Sequence, residues 1–177
     1  MALGATIFKA NLQIADMDRN YYADHALTIA RHPSETDERM MARLLAFALN
    51  AHEHLVFGKG LSDTDEPDLW QKDLTGAIAH WIEVGQPDEK TMLRACGRAE
   101  RVTVYAYGNR AELWWNPLAE NLARAKNLAV WRVPATASQA LAKFAARTMQ
   151  LQCTIQEDQL WFSDAGETVQ LELLKLN

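Results

Sequence analysis

Three carboxylates in the first half of the chain are the residues best suited to chemistry: Glu38, Asp68 and Glu83. Glu83 carries the most information. It stands between Ile82 and Val84 in IAHWIEV, residues 78–84, near the end of an apolar run bounded by Gly76 and Gly85. A carboxylate in such a setting stays ionised only beside a cation, a metal or several hydrogen-bond donors. Taken alone, Glu83 is explained as well by an arginine partner as by a metal. Together with Glu38 and Asp68 it suggests a cluster of oxygen ligands, which is what Mg²⁺ or Mn²⁺ takes, through a few carboxylates and water. A site of that kind, with a basic group beside it, lowers the pKa of bound water and stabilises a phosphoryl transition state.

The elements that would position these groups can be read from spacing. Glu38 lies in RHPSETDERMMARLLAFALN, residues 31–50, where Pro33 and Ser34 open a helix with Ser34 as N-cap and Asp37 three residues on. Met41, Leu44, Leu45 and Ala48 form the apolar stripe, so Arg39, Arg43, Ala46 and Asn50 are expected to face solvent. Glu35, four residues before Arg39, reads as its solvated partner. Asp37 and Glu38 fall on the shoulder of the stripe, where compensation of the helix dipole accounts for them as readily as a site does. Asp68 follows Pro67 in DTDEPDLWQKD, residues 63–73. That segment fits an extended strand with Asp68, Trp70 and Lys72 on one face, and equally a short helix with Pro67 in its first turn. Residues 78–84 read as a strand placing Ala79, Trp81 and Glu83 together.

Around this block the chain alternates. Phe8, Ala10, Leu12 and Ile14, then Tyr21, Ala23, His25, Leu27 and Ile29, have the period of an N-terminal β-hairpin. A short strand is expected over residues 55–59, a helix over 86–98, a strand over 101–107 and a short helix up to Trp115. Strand 128–133, helix 138–144 and strands 149–155, 160–163 and 169–174 follow, the last three as a C-terminal β-meander. These elements predict an α/β or α+β fold: a mixed central β-sheet flanked by helices, its central face covered by the helix from Ser34. With 177 residues, 49% of them hydrophobic, and no Gly/Ser/Pro-rich linker, residues 1–177 are expected to form a single domain.

The net charge of −5 argues against a large nucleic-acid-wrapping surface but leaves room for a local basic patch. Cys96 and Cys153 lack the spacing of a disulfide framework or a zinc site and read as buried free thiols. The five histidines show no ligand spacing, and no P-loop, dinucleotide fingerprint or nucleophile elbow occurs. The opening residues lack the blocks of a signal peptide, and no apolar run reaches membrane-spanning length, so a cytoplasmic protein without a membrane partner is expected. Of Trp114 and Trp115, adjacent in a regular element, one is expected at the surface, able to stack on a base or a protein partner.

RHPSETDERMMARLLAFAL, DEPDLW, WIEVGQPDEK and the opening MALGATIFKANLQIADMDRNYY resemble the YaeQ family over nearly the whole chain. The resemblance implies a fold similar to the PD-(D/E)XK nuclease superfamily, in which a helix acid, a Pro-Asp acid and an acid-x-Lys strand build a metal site. Matched by position, Glu38 is the helix acid, Asp68 the second acid and Glu83 the third. Gly85 stands where that pattern has lysine. Lys72 and Lys90 are then the candidates to supply the catalytic cation, with Gln86 a weaker polar stand-in. What this implies is a Mg²⁺- or Mn²⁺-dependent phosphodiesterase acting on nucleic acid, or a nuclease-like scaffold that has lost catalysis and binds a protein or nucleic-acid partner.

Overall fold

The computed structural model describes residues 4–177; residues 1–3, part of the opening stretch read for a targeting signal, lie outside it. β1 (Thr6–Asp16) and β2 (Tyr21–Arg31) form the expected hairpin, with Leu12 opposite His25. Phe8, Ala10, Leu12 and Ile14 are buried while their neighbours on β1 are mostly exposed, as the two-residue period requires. β8 (Thr148–Gln156), β9 (Gln159–Ser163) and β10 (Thr168–Glu172) extend this sheet in the order β10-β9-β8-β1-β2, with β8 parallel to β1.

A second sheet runs β11-β7-β6-β5-β4-β3, built from β3 (Leu55–Phe57), β4 (Leu69–Lys72), β5 (Ile78–Val84), β6 (Ala99–Tyr107), β7 (Leu128–Val133) and β11 (Leu174–Lys175). β5, β6 and β7 are parallel, and the other pairings are antiparallel. The expected single central sheet is therefore two mixed sheets. The reason lies in α1 (Asp37–Asn50), which buries every residue from Met40 to Ala48. One sheet covers only one side of such a helix. Here the inner faces of both sheets join α1 and α5 (Ala135–Ala142) in one core. A second core lies beyond the second sheet, where Trp81, Val102, Val104 and Val130 meet α2 (Glu89–Arg98), α3 (Ala111–Trp115) and α4 (Ala119–Leu122).

Several boundaries differ from the expectation. Within residues 65–73 only Leu69–Lys72 take the extended alternative, as β4, bulged between Gln71 and Lys72, and Asp68 lies in the bend before it. α4 was not anticipated from the sequence. α5 starts three residues before Ser138, after Pro134, whose ring sets a φ of −54°. Cys96 is half-buried, because the short α2 covers the sheet only with its Met92 and Ala95 face. Among the described residues no helix is long and apolar enough to cross a membrane.

Candidate functional site

The start of α1 organises the site. Thr36, and not Ser34, is the N-cap, its hydroxyl accepting the Arg39 amide at 3.1 Å. Ser34 is held instead by the His32 ring, 2.7 Å from Nδ1. The residue between them, Glu35, is buried, although the helical wheel assigned it to solvent. Its Oε2 accepts Arg39 Nη1 at 2.6 Å and Arg43 Nε at 3.0 Å, and its Oε1 accepts Arg43 Nη2 at 2.5 Å. Arg43, also expected at the surface, is buried and donates to the Ala30 carbonyl of β2 at 3.0 Å. Two guanidiniums can enter the interior here because Glu35 enters with them.

Arg39 continues across to the second sheet, with Nη2 2.8 Å from Asp68 Oδ1 and 3.2 Å from the Val84 carbonyl. Asp68, buried just before β4, accepts the Val84 amide on its other oxygen at 2.8 Å. Gly60, at φ +51°, packs so close that a Cβ there would lie 2.6 Å from Asp68 Oδ1. The position therefore excludes any side chain. Glu83, half-buried on β5, accepts Trp81 Nε1 at 2.9 Å and lies within hydrogen-bonding reach of Asp68. Burial, and then the Asp68 charge, push the Glu83 carboxyl up to about 7 against the opposing pull of Trp81 and Arg39. Arg39 and Glu83 floor an open cleft of about 500 Å³ whose walls include Gln86, Pro87 and Tyr107, and Asp68 lies buried behind them.

Of the residues expected to act, Asp68 and Glu83 meet. Glu38 goes elsewhere: its Oε1 accepts the hydroxyl of Ser138 on α5 at 2.8 Å. Lys72 lies with Nζ 3.8 Å from the centre of the Trp70 ring, and Lys90 is exposed in the first turn of α2. Neither lysine lines the cleft. Gly85 lies past the end of β5 at φ +105°, so a lysine there would not extend the Glu83 face without strain. Among the described residues no three His, Cys, Asp or Glu side chains converge as a metal-holding group.

Arg39 is the cleft-lining charge that the sequence reading missed. The spacing of Glu35, Arg39 and Arg43, four residues apart on one helical face that also carries Ala46, was the available signal. A charged row that includes a small apolar residue marks a face that packs closely on something. The assembled cleft offers a fixed cation, Arg39, and a carboxyl able to exchange a proton near neutrality, Glu83, with Asp68 anchored behind them by a backbone amide.

Fold and cleft together define an α+β protein of two mixed sheets with an arginine–carboxyl site between its central helix and the second sheet. A protein-family model described as YaeQ protein matches residues 1–173. The chain belongs to the YaeQ family. It is 47% identical over 174 residues to the uncharacterized protein YaeQ of Salmonella typhi and 44% identical to that of Escherichia coli (strain K12), in each case over 98% of this chain and 96% of the relative. The crystal structure of the YaeQ protein from Xanthomonas axonopodis pv. citri superposes with a TM-score of 0.94 at 46% identity, covering 98% of both chains. That of the Pseudomonas syringae protein gives 0.94 at 39% identity, over 98% of this chain and 96% of the other.

Proposed function

We propose that the cleft is the site of a Mg²⁺- or Mn²⁺-dependent phosphodiesterase of nuclease type acting on nucleic acid. Its reaction class rests on the resemblance to PD-(D/E)XK nucleases. Its location rests on one observation: the Glu83 carboxyl lines an open cleft against the buried Asp68 carboxyl and is pushed up to about 7. Two crowded carboxyls hold a proton that a divalent cation could replace. The donor set fits Mg²⁺, which commonly takes one or two protein carboxylates and keeps several waters. When bound, the ion would activate water and polarise the phosphoryl group. Glu38, engaged with Ser138, has no ligand role in this reading.

The remaining work falls to the chain's own groups. Arg39 replaces the lysine absent at Gly85 as the fixed positive charge for developing negative charge on a phosphoryl oxygen. Glu35 and Asp68 hold its guanidinium in place, so little ordering is needed when a substrate arrives. Its Nε–H, not engaged by Glu35, Asp68 or Val84, remains to donate. Glu83, near neutrality, is the group positioned to take up or release a proton at its carboxyl oxygen.

One observation favours the second reading, a nuclease-like scaffold that binds a partner without cleaving it. Arg39 Nη2 already contacts Asp68 Oδ1 and the Val84 carbonyl, so a cation of the chain itself occupies those oxygens. Calorimetry with Mg²⁺ and Mn²⁺ in two buffers of different ionisation heat separates the readings. It should be run beside cleavage assays on single-stranded, duplex and branched DNA and on RNA, for wild type and Glu83→Gln. Expected are metal binding with proton release at neutral pH and metal-dependent cleavage, both lost in Glu83→Gln. Failure of the wild type to bind either ion leaves the scaffold reading, and equal cleavage by both proteins rejects the site.

A further inference from the structure

A second cavity, of about 410 Å³, lies between the sheets at the far end of α1 from the cleft, bordered by Leu49 and Asn50 of the last helical turn. One wall is a row of side chains from β6, Arg101, Thr103 and Tyr105, which share a face because they are two residues apart. The registers β5–β6 and β6–β7 set His80 beside Arg101 and Trp131 beside Tyr105.

Hydrogen-bond direction shows what this row presents. Arg101 can only donate, so its 3.2 Å contact to His80 Nδ1 makes that nitrogen the acceptor. Burial and the Arg101 charge hold His80 down at about 4, so the ring is neutral and carries its single proton on Nε2. Nε2–H therefore donates to Thr103 Oγ1, 2.7 Å away, which leaves the Thr103 hydroxyl proton free to donate. Tyr105 follows the same logic. Its oxygen accepts Asn50 Nδ2 at 2.8 Å, and among the described residues its own proton has no acceptor. Burial raises Tyr105 to about 12, so it stays a donor at any physiological pH.

The row is thus a guanidinium and two hydroxyl donors without acceptors, two of the three residues buried, with Trp131 beside it and the apolar Ile155 and Leu160 facing it from the first sheet. Donors left unpaired in a recess call for an acceptor-rich, negatively charged ligand. The helix end does not oppose this, because Arg19 donates to the Ala48 and Ala51 carbonyls there, at 3.4 and 3.1 Å. Asp158 and Glu172, exposed on the opposite border, disfavour an extended polyanion such as nucleic acid.

We propose that this cavity is a binding site for a small organic oxyanion, a carboxylate or phosphate monoester on an apolar body. The oxyanion is bound by Arg101, Thr103 and Tyr105, and the body lies against Trp131 and Leu160. The site is separate from the cleft and stands whether or not the cleft is catalytic.

Saturation-transfer NMR and calorimetry with phenylacetate, phenyl phosphate and the uncharged 2-phenylethanol test the assignment. The carboxylate and phosphate arms tell which oxyanion is preferred. Expected is binding of at least one anion and not of the alcohol. Thr103→Val and Tyr105→Phe should each weaken it roughly tenfold, as loss of a charge-assisted hydrogen bond does, and Glu83→Gln should leave it unchanged. Arg101→Gln, at an exposed position, gives the same readout if either core variant melts early. The proposal is overturned if neither anion binds the wild type at about 10 mM, a limit weaker than any specific site of this size should show. Equal binding of the alcohol, or undiminished affinity in well-folded variants, overturns it as well.

Discussion

Glu83 keeps its proton in the folded chain up to about pH 7, against 4.5 for an unperturbed glutamate. Below the unfolded value both states hold the proton, and Glu83 makes stability no more pH-dependent than any other residue. Between the two values the folded state binds more protons, so stability falls as pH rises, and above 7 the full cost of the buried charge is present. Its size is on the order of 3 kcal/mol. Glu83→Gln should therefore raise the urea midpoint at pH 8 and leave it nearly unchanged at pH 4. A loss of stability at pH 8 would assign the ionised carboxylate to a structural ion pair. The tension in Glu83 was visible in the sequence as a carboxylate in an apolar strand. The nearby charge of Arg39 was not, because the two are brought near each other only by the packing of α1 on β5.

At the scale of elements, α1 shows where a helical wheel misleads. The stripe of Met41, Leu44, Leu45 and Ala48 is buried as expected, and so is the opposite face with Arg43 and Ala46. The wheel ranks faces by hydrophobicity and takes the polar one for the surface, but an arginine enters a core when a carboxylate enters with it. Arg43→Ala strands Glu35 with only Arg39 and should cost about 3–5 kcal/mol, where a solvent-facing arginine would cost within about 0.5. In the same urea melts Thr36→Ala should lose about 1 kcal/mol and Ser34→Ala almost nothing, since only Thr36 caps the helix. Equal losses from the two cap variants would place the helix start at Ser34 after all.

For the molecule as a whole, the shared core makes the hairpin, the meander and the second sheet depend on one another. Cys153 on β8 faces that core, and burial pushes its thiol up to about 12, whereas Cys96 on α2 is half-buried at the outer helical layer. A thiol reagent at pH 8 should modify Cys96 in the native protein. It should reach Cys153 only through global unfolding, at a rate that tracks denaturant stability. Labelling of Cys153 as fast as Cys96, read by mass spectrometry of peptides, would mean that the first sheet opens independently of the second.

Local chemistry by itself determined much of this protein. Two-residue alternation specified the hairpin, apolar and β-branched runs between turn residues specified β5, β6 and the meander, and helical spacing specified α1 and α2, because each pattern reports a surface that the chain must bury. What only tertiary structure decided were the facts that need a partner distant in sequence. These are the split into two sheets, Glu38 turned to Ser138 on α5, Arg39 bound to Glu35 and Asp68 across the core, and the donor row of β6 closed by α1 and β9. Each depends on which elements meet across the core, and a charge or hydroxyl takes its role from the group it meets there rather than from its neighbours along the chain.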